Sequence, residues 1–404
     1  MKHFLGKSMI FASLLVITMR LNAQEVKQFS FSLIEAQEFA IQNNLERKNA
    51  ALDVEIAKKK VWETTAMGLP QVSAKVDFQM ILNDLPKLSF PGENGQVTEI
   101  EVGEKANATY SITASQLIFS GPYIVGLQAS KAYKKLSENA LAKTDRDIKA
   151  NVANSYYTTL LLQETKQILD SSVTNLKQTY KDAEALFKSG FAEEVDASQV
   201  KVALSLVENS ANETAKQLTL SENFLKLNLG VENGSTISLT QKLDEMIKDF
   251  DPNKESNGVL DANTNIDLRI MDNQVELSKL QVKLEKSNYL PNLSAYIMYQ
   301  KLHKEPLINF TPTAILGAQL SFPIFSSGMR NSKLQQAKLE LNKSINSYNQ
   351  VRQSLEMEMI DAKAQLTVAW GKYISQKENK DLANKVYQNY RVKYSKGMSS
   401  QQEL

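Results

Sequence analysis

The chain has 404 residues, 42% hydrophobic and 23% charged, with only 15 glycines and 9 prolines; the length allows two or more domains, and scarce Gly and Pro point to long unbroken helices. A formal net charge of +2 gives no sign of a nucleic-acid partner, and the absence of cysteine excludes disulfide staples, thiolate metal sites and a lipid-modified cysteine. Two histidines, His3 and His303, leave little for a Ser-His-Asp triad or a His-based metal site, so no catalytic residue, cofactor or metal ligand is expected.

Residues 1–23 read as a secretory signal. Lys2 and Lys7 precede an apolar run from Met9 to Met19, and Leu21-Asn22-Ala23 offers a small-residue cleavage site before Gln24. The apolar run is too short to span a bilayer as a helix. Cleavage would remove Lys2, Lys7 and Arg20, taking the formal charge from +2 to −1.

The first repeat is expected over 24–230. Its opening helix starts at Ser32-Leu-Ile-Glu35, a capping box, breaks at Asn43-Asn44 and resumes to about Met67. A strand hairpin follows over 72–119, its two runs alternating apolar and polar residues with period two (Val72, Ala74, Val76 and Phe78 against Ser73, Lys75 and Asp77). The segment 83–106 between them reads as a long loop. A helical hairpin is expected over 127–229; its first arm, Leu127–Ser189, holds no Pro or Gly and would extend on the order of 95 Å if wholly helical. Val173, Leu176, Tyr180, Ala183 and Phe187 recur at three-four spacing, the pattern of a coiled-coil seam. Gly190 turns the chain. Residues 231–262 form a polar connector.

The second repeat, 263–404, has the same order: helix, strand hairpin 292–325, then a long helix 329–396 with a break candidate at Gly371. LPQVSA at Leu69–Ala74 answers LPNLSA at Leu290–Ala295, SQLIFSG answers LSFPIFSSG, and Phe187-Lys-Ser-Gly190 answers Tyr394-Ser-Lys-Gly397. By this symmetry the last returning helix is missing after Leu404, and the sequence reads as a fragment that would assemble poorly. Each strand run is about ten residues, the length a tilted strand needs to cross a bilayer. Four strands cannot close a barrel, and an open sheet in lipid leaves edge N–H and C=O groups unpaired. Other copies must complete it, and a cyclic trimer supplies twelve strands.

On SLIEAQEFAIQNN at Ser32–Asn44, the LPQVSA and LPNLSA pair, SQLIFSG, Tyr157 in the following helix, and the paired FKSG and YSKG turns, the whole mature chain resembles the TolC-like outer-membrane efflux family. The resemblance implies a mainly α fold with transmembrane β: four strands contributed to a homotrimeric 12-stranded barrel continuous with a periplasmic helical barrel. It implies an outer-membrane exit duct in a tripartite efflux or type I secretion system of a Gram-negative bacterium. The implied partners are outer-membrane lipid, a periplasmic adaptor, and an inner-membrane transporter of the RND, ABC or MFS type. An exported periplasmic coiled-coil protein without a barrel is the competing reading.

The family's acidic entrance ring, matched by position, implies Asp196 and Glu403, with Glu193 and Glu194 beside the first. The same residues also suit a helix start, where acidic side chains favour the positive end of the dipole. Lys188, Gly190, Phe191, Lys396, Gly397 and Met398 are candidate adaptor contacts at the two tips, or plain turn residues. Phe78, Tyr110, Phe119, Tyr296, Tyr299, Phe322 and Phe325 are candidate girdle aromatics at the membrane boundary, although strands are enriched in aromatics regardless.

Overall fold

The computed structural model describes residues 28–91, 96–232, 234–248, 250–252, 254, 258–306, 309–395 and 398. The expected signal segment, 1–23, and Lys396, Gly397 and Glu403 lie outside them. The chain divides into two compact units, one built from residues up to Lys48, Asp145–Pro252 and Lys372 onward, the other from Asn49–Thr144 and Asn253–Gly371.

The first unit is organised by two short helical and strand elements that pin the long helices. Strand β1 (Gln28–Phe31) pairs in parallel with β6 (Thr236–Leu239). Helix α1 (Leu33–Asn43) then starts at Ser32, whose hydroxyl accepts from the Glu35 N–H while the Glu35 carboxylate accepts from the Ser32 N–H, completing the capping box. Hydrogen bonds from the Ser32 N–H and the Ser32 hydroxyl, each 2.8 Å, hold the Glu35 carboxyl below its ordinary range. Phe29, Phe31 and Phe39 cluster with ring centroids 5.0–5.7 Å apart. They cover a core of Ala36, Ala40, Ile148, Val152, Tyr156, Leu160, Leu225 and Leu229, the last residues coming from α3 (Gly121–Lys188) and α4 (Glu194–Leu229). Fully buried Tyr156 donates to the Phe31 carbonyl at 3.0 Å, and Thr159 pairs with Ser221 at 2.8 Å across the two helices. A buried phenol must find a partner, so this bond fixes β1 on α3. The sequence reading singled out Tyr157, which is exposed; its neighbour carries the packing.

The connector expected over 231–262 is partly structured: it supplies β6 and the short helix α5 (Leu243–Lys248). Where α4 ends, Gly230 N–H bonds the Leu227 carbonyl and Val231 N–H the Lys226 carbonyl, a Schellman pair with Gly230 at φ 73°. A Cβ on Gly230 would lie 2.7 Å from the Asn43 carbonyl oxygen, so both backbone angle and space require glycine there.

The second unit carries a four-stranded antiparallel sheet in the order β2 (Gln71–Met80), β5 (Ala106–Ser120), β7 (Asn292–Leu302), β8 (Ala314–Ser321). Helix α2 (Leu45–Ala66) precedes β2, and α6 (Ile266–Ser287) precedes β7. These two helices are 22 residues each and 221 positions apart, and both are capped by asparagine. Asn44 accepts from the N–H groups of Glu46 and Arg47, Asn265 from those of Asp267 and Leu268. The internal duplication is thus built into the caps as well as the strands. Helix α7 (Met329–Ser395) runs through Gly371 without a break, and α3 starts at Gly121 rather than at 127. Pro122 explains the early start, since a proline in the first turn loses no helical hydrogen bond. The loop expected over 83–106 contains a hairpin, β3 (Lys87–Pro91) with β4 (Val97–Glu101).

Gly230→Ala is expected to destabilise the protein by about 1–3 kcal/mol, whereas Gly126→Ala, inside α3 with nothing within 4 Å, should be neutral or stabilising by about 0.5–1 kcal/mol. Thermal unfolding followed by circular dichroism checks both; equal effects at the two sites would contradict the cap geometry.

Candidate functional site

Residue identity alternates along every strand of the four-stranded sheet, and the pairing register aligns the alternation across strands. Ala74 lies opposite Ile112, Ile112 opposite Tyr299, and Tyr299 opposite Ala314; Val72, Ala114, Ile297 and Leu316 form the next row of this kind. One face therefore collects Val72, Val76, Phe78, Met80, Tyr110, Ile112, Ile297, Tyr299, Leu316 and Leu320, all exposed, Leu316 to 81%. The intervening rows hold Ser73, Lys75, Asp77, Thr109, Ser111, Thr113, Gln300 and Gln319 on the other face, with Met298, Leu302 and Ile315 among them, while Lys301 stands opposite Tyr110 in the apolar rows. An apolar face this large has no place in water. The strands, 10, 15, 11 and 8 residues long, are of the order that crosses a bilayer when tilted. No helix among the described residues is long and apolar enough to span a membrane.

Both edges of the sheet are open: β2 and β8 each pair on one side only. At the end near the helices the β5–β7 register shifts between Leu117 and Phe119, a bulge that leaves Ile118 unpaired at the rim. Of the candidate girdle aromatics, Phe78, Tyr110, Phe119 and Tyr299 fall in the apolar rows. Tyr296 does not. It lies on the polar face opposite Gly317, where a Cβ would meet its ring at 2.6 Å, and so fills the space of a missing side chain rather than joining a band on the apolar face. Phe322 and Phe325 follow the end of β8 in irregular backbone and are exposed.

The second assembly of candidate residues is the turn between α3 and α4. Gly190, at φ 80°, sends its N–H to the Phe187 carbonyl, and the Phe191 N–H reaches the Leu186 carbonyl at 2.9 Å, again a Schellman pair. The repeat-related Met398 N–H bonds the Lys393 carbonyl at 2.9 Å, the counterpart of the Phe191 bond. Phe191 is 83% exposed and Lys188 pairs with Glu184 at 3.4 Å. Glu193 is the N-cap of α4 but makes no side-chain capping bond; Glu194 and Asp196 lie in the first turn, where the helix dipole favours negative charge. Asp196 is half-buried and lines a groove of about 600 Å³ with Ser172, Asn175 and Leu176 of α3, Val200 of α4 and Tyr387 of α7. Sequence spacing alone found the tip; it missed the groove, because Tyr387 belongs to a helix some two hundred residues away.

A sheet with one exposed apolar face and strands of membrane-crossing length, in a chain that also forms very long helices, defines a protomer of a membrane barrel with helical segments. The family model for outer membrane efflux proteins matches residues 38–231 and 262–404, and the chain belongs to that family. It is an outer-membrane protein, and its fold class is the family's: strands for a trimeric β-barrel, long helices for a periplasmic helical barrel. Among solved structures it is similar to CusC, described for folding and transmembrane channel formation, at TM-score 0.73 and 18% identity over 92% of this chain and 84% of that one. It is likewise similar to the Campylobacter jejuni CmeC outer membrane channel, at TM-score 0.70 and 17% identity over 92% and 78%. Among curated proteins it is 28% identical over 167 residues to the multidrug resistance outer membrane protein MdtQ of Escherichia coli O157:H7, a match covering 41% of this chain and 34% of that protein. The matched stretch thus spans about a third of that relative.

The face assignment makes a direct test possible. Val76→Arg, on the apolar face, should cost about 2–4 kcal/mol near mid-membrane and sharply reduce the protein recovered from outer membranes, while Asp77→Arg, one residue on, should be tolerated. Equal recovery of the two variants would contradict the assignment.

Proposed function

We propose that the protein is the exit duct of a tripartite efflux or type I secretion system. Three copies close a twelve-stranded barrel, and small molecules or polypeptides pass through it from periplasm to exterior. The observation that carries this reading is the sheet's exposed apolar face combined with two unpaired edges: an open edge in hydrocarbon leaves backbone groups without partners, and only closure with other copies satisfies them. A periplasmic adaptor and an inner-membrane transporter, of the RND, ABC or MFS type, complete the route. Lys188, Phe191 and Met398 are the described residues offered for adaptor contact, with Gly190 shaping the turn that presents them. Asp196, with Glu193 and Glu194, forms the acidic entrance that draws cations and disfavours anions. MdtQ's description as a multidrug resistance protein favours small-molecule cargo, with the adaptor and pump setting the final choice. The alternative of an exported coiled-coil protein lacking a barrel leaves the apolar face in water and is disfavoured on that ground.

Reconstituted into planar bilayers, the protein is expected to give stepwise, cation-selective conductance. Asp196→Asn should move the reversal potential in a salt gradient toward zero while leaving the steps in place. Membranes that stay silent would overturn the duct reading; steps with unchanged selectivity would overturn the role given to Asp196.

A further inference from the structure

The β3–β4 hairpin is a ribbon with exposed apolar side chains, Leu88 and Phe90, beside half-buried Ile100 on one face. Its ladder places Leu88 opposite Ile100 and Phe90 opposite Thr98, so these four share one face. The other face holds Lys87, Ser89, Glu99 and Glu101 together with Pro91 and Val97 near the turn, and Lys87 is bonded to Glu99 at 3.2 Å. Leu88 and Phe90 are 41% and 45% exposed. The ribbon is stacked on the end of the main sheet, because Ile81 N–H bonds the Lys105 carbonyl and Val102 N–H the Pro86 carbonyl, each at 2.8 Å. It therefore continues from the end of the β2–β5 pair, and β2 is the strand at the open edge.

The opposite edge of the sheet carries a matching group. Phe310 precedes β8 and is 76% exposed. Within one chain, β5 and β7 separate β8 from β2, about three strand spacings or roughly 14 Å. Between copies the separation vanishes. Strands β2, β5, β7 and β8 alternate in direction, so an antiparallel pairing of β8 with the next copy's β2 brings Ala314, where β8 begins, to the Met80 end of that β2. Phe310 lies four residues before Ala314, within a reach of about 14 Å of extended chain. Its ring and the apolar face of the neighbouring ribbon are then held at one rim, and each buries the other's apolar surface.

We propose that Phe310 of each copy docks on the Leu88, Phe90 and Ile100 face of the β3–β4 hairpin of the next copy, latching the barrel seam beyond the last ladder hydrogen bonds. This rests on the reading that copies join edge to edge. The lack of native cysteine makes the test clean. Two differently tagged forms of the protein, one Phe90→Cys and one Phe310→Cys, are co-expressed, extracted from outer membranes and treated with a short bis-maleimide. On a denaturing gel after boiling, a linked species bearing both tags is expected, at least several-fold above that formed between Phe310→Cys and a Gln163→Cys control. A heat-labile trimer that yields no doubly tagged band above the control would overturn the latch while leaving the barrel intact. Absence of any heat-labile trimer, in the variants and the unaltered protein alike, would overturn the edge-to-edge reading and the latch with it.

Discussion

The need to pair every backbone N–H and C=O away from water governs this molecule. Four strands cannot curl into a barrel of their own, and the face they present to their surroundings is built from valine, isoleucine, leucine and aromatic side chains. A sheet with such a face belongs in hydrocarbon, where an unpaired edge costs several kcal/mol per group. The chain is consequently incomplete as a single copy. On the proposed reading, the need for further copies follows from backbone hydrogen bonding once the apolar side chains place the sheet in hydrocarbon.

The helices answer a different requirement. They are far longer than packing within a globular domain would call for, and in α7 the lower part leaves Leu382, Val386 and Val392 exposed. Such helices stay fixed only where short elements clamp them. The Phe29, Phe31 and Phe39 cluster, the Tyr156 bond to β1 and the left-handed turn at Gly230 form such a clamp. In the same stretch α3 and α4 are also joined by small polar contacts, Thr159 with Ser221 at 2.8 Å and Asn228 with Ser155 at 2.6 Å. Turns at Gly190 and Gly230 use one hydrogen-bond pattern, which reverses a helix sharply without cost to a side chain.

Much of this was legible in the sequence because the repeat supplied a second reading of each element. The capping box at Ser32, the break at Asn44, the alternating runs that became β2, β5, β7 and β8, and the glycine turn after Lys188 all follow from local chemistry. What escaped was non-local or short. Strand β1 is four residues long and parallel to a partner two hundred residues away, so neither its length nor its neighbours announce it. The β3–β4 hairpin lies in a stretch, 83–106, with two prolines and three glycines, which outweighed five-residue alternations. Gly371 stays helical because one glycine costs only about 1 kcal/mol in a 67-residue helix. At the tip, spacing located Asp196 but gave no hint that Tyr387 would wall the groove beside it.

The central claim is that copies of this chain close one another's open sheet edges in the membrane. It is tested most directly by native mass spectrometry of the protein released from outer membranes in mild detergent, before and after boiling. The account predicts a particle of three copies that falls to single chains only on heating. A single copy, stable in buffer without detergent and unchanged by heat, would contradict it.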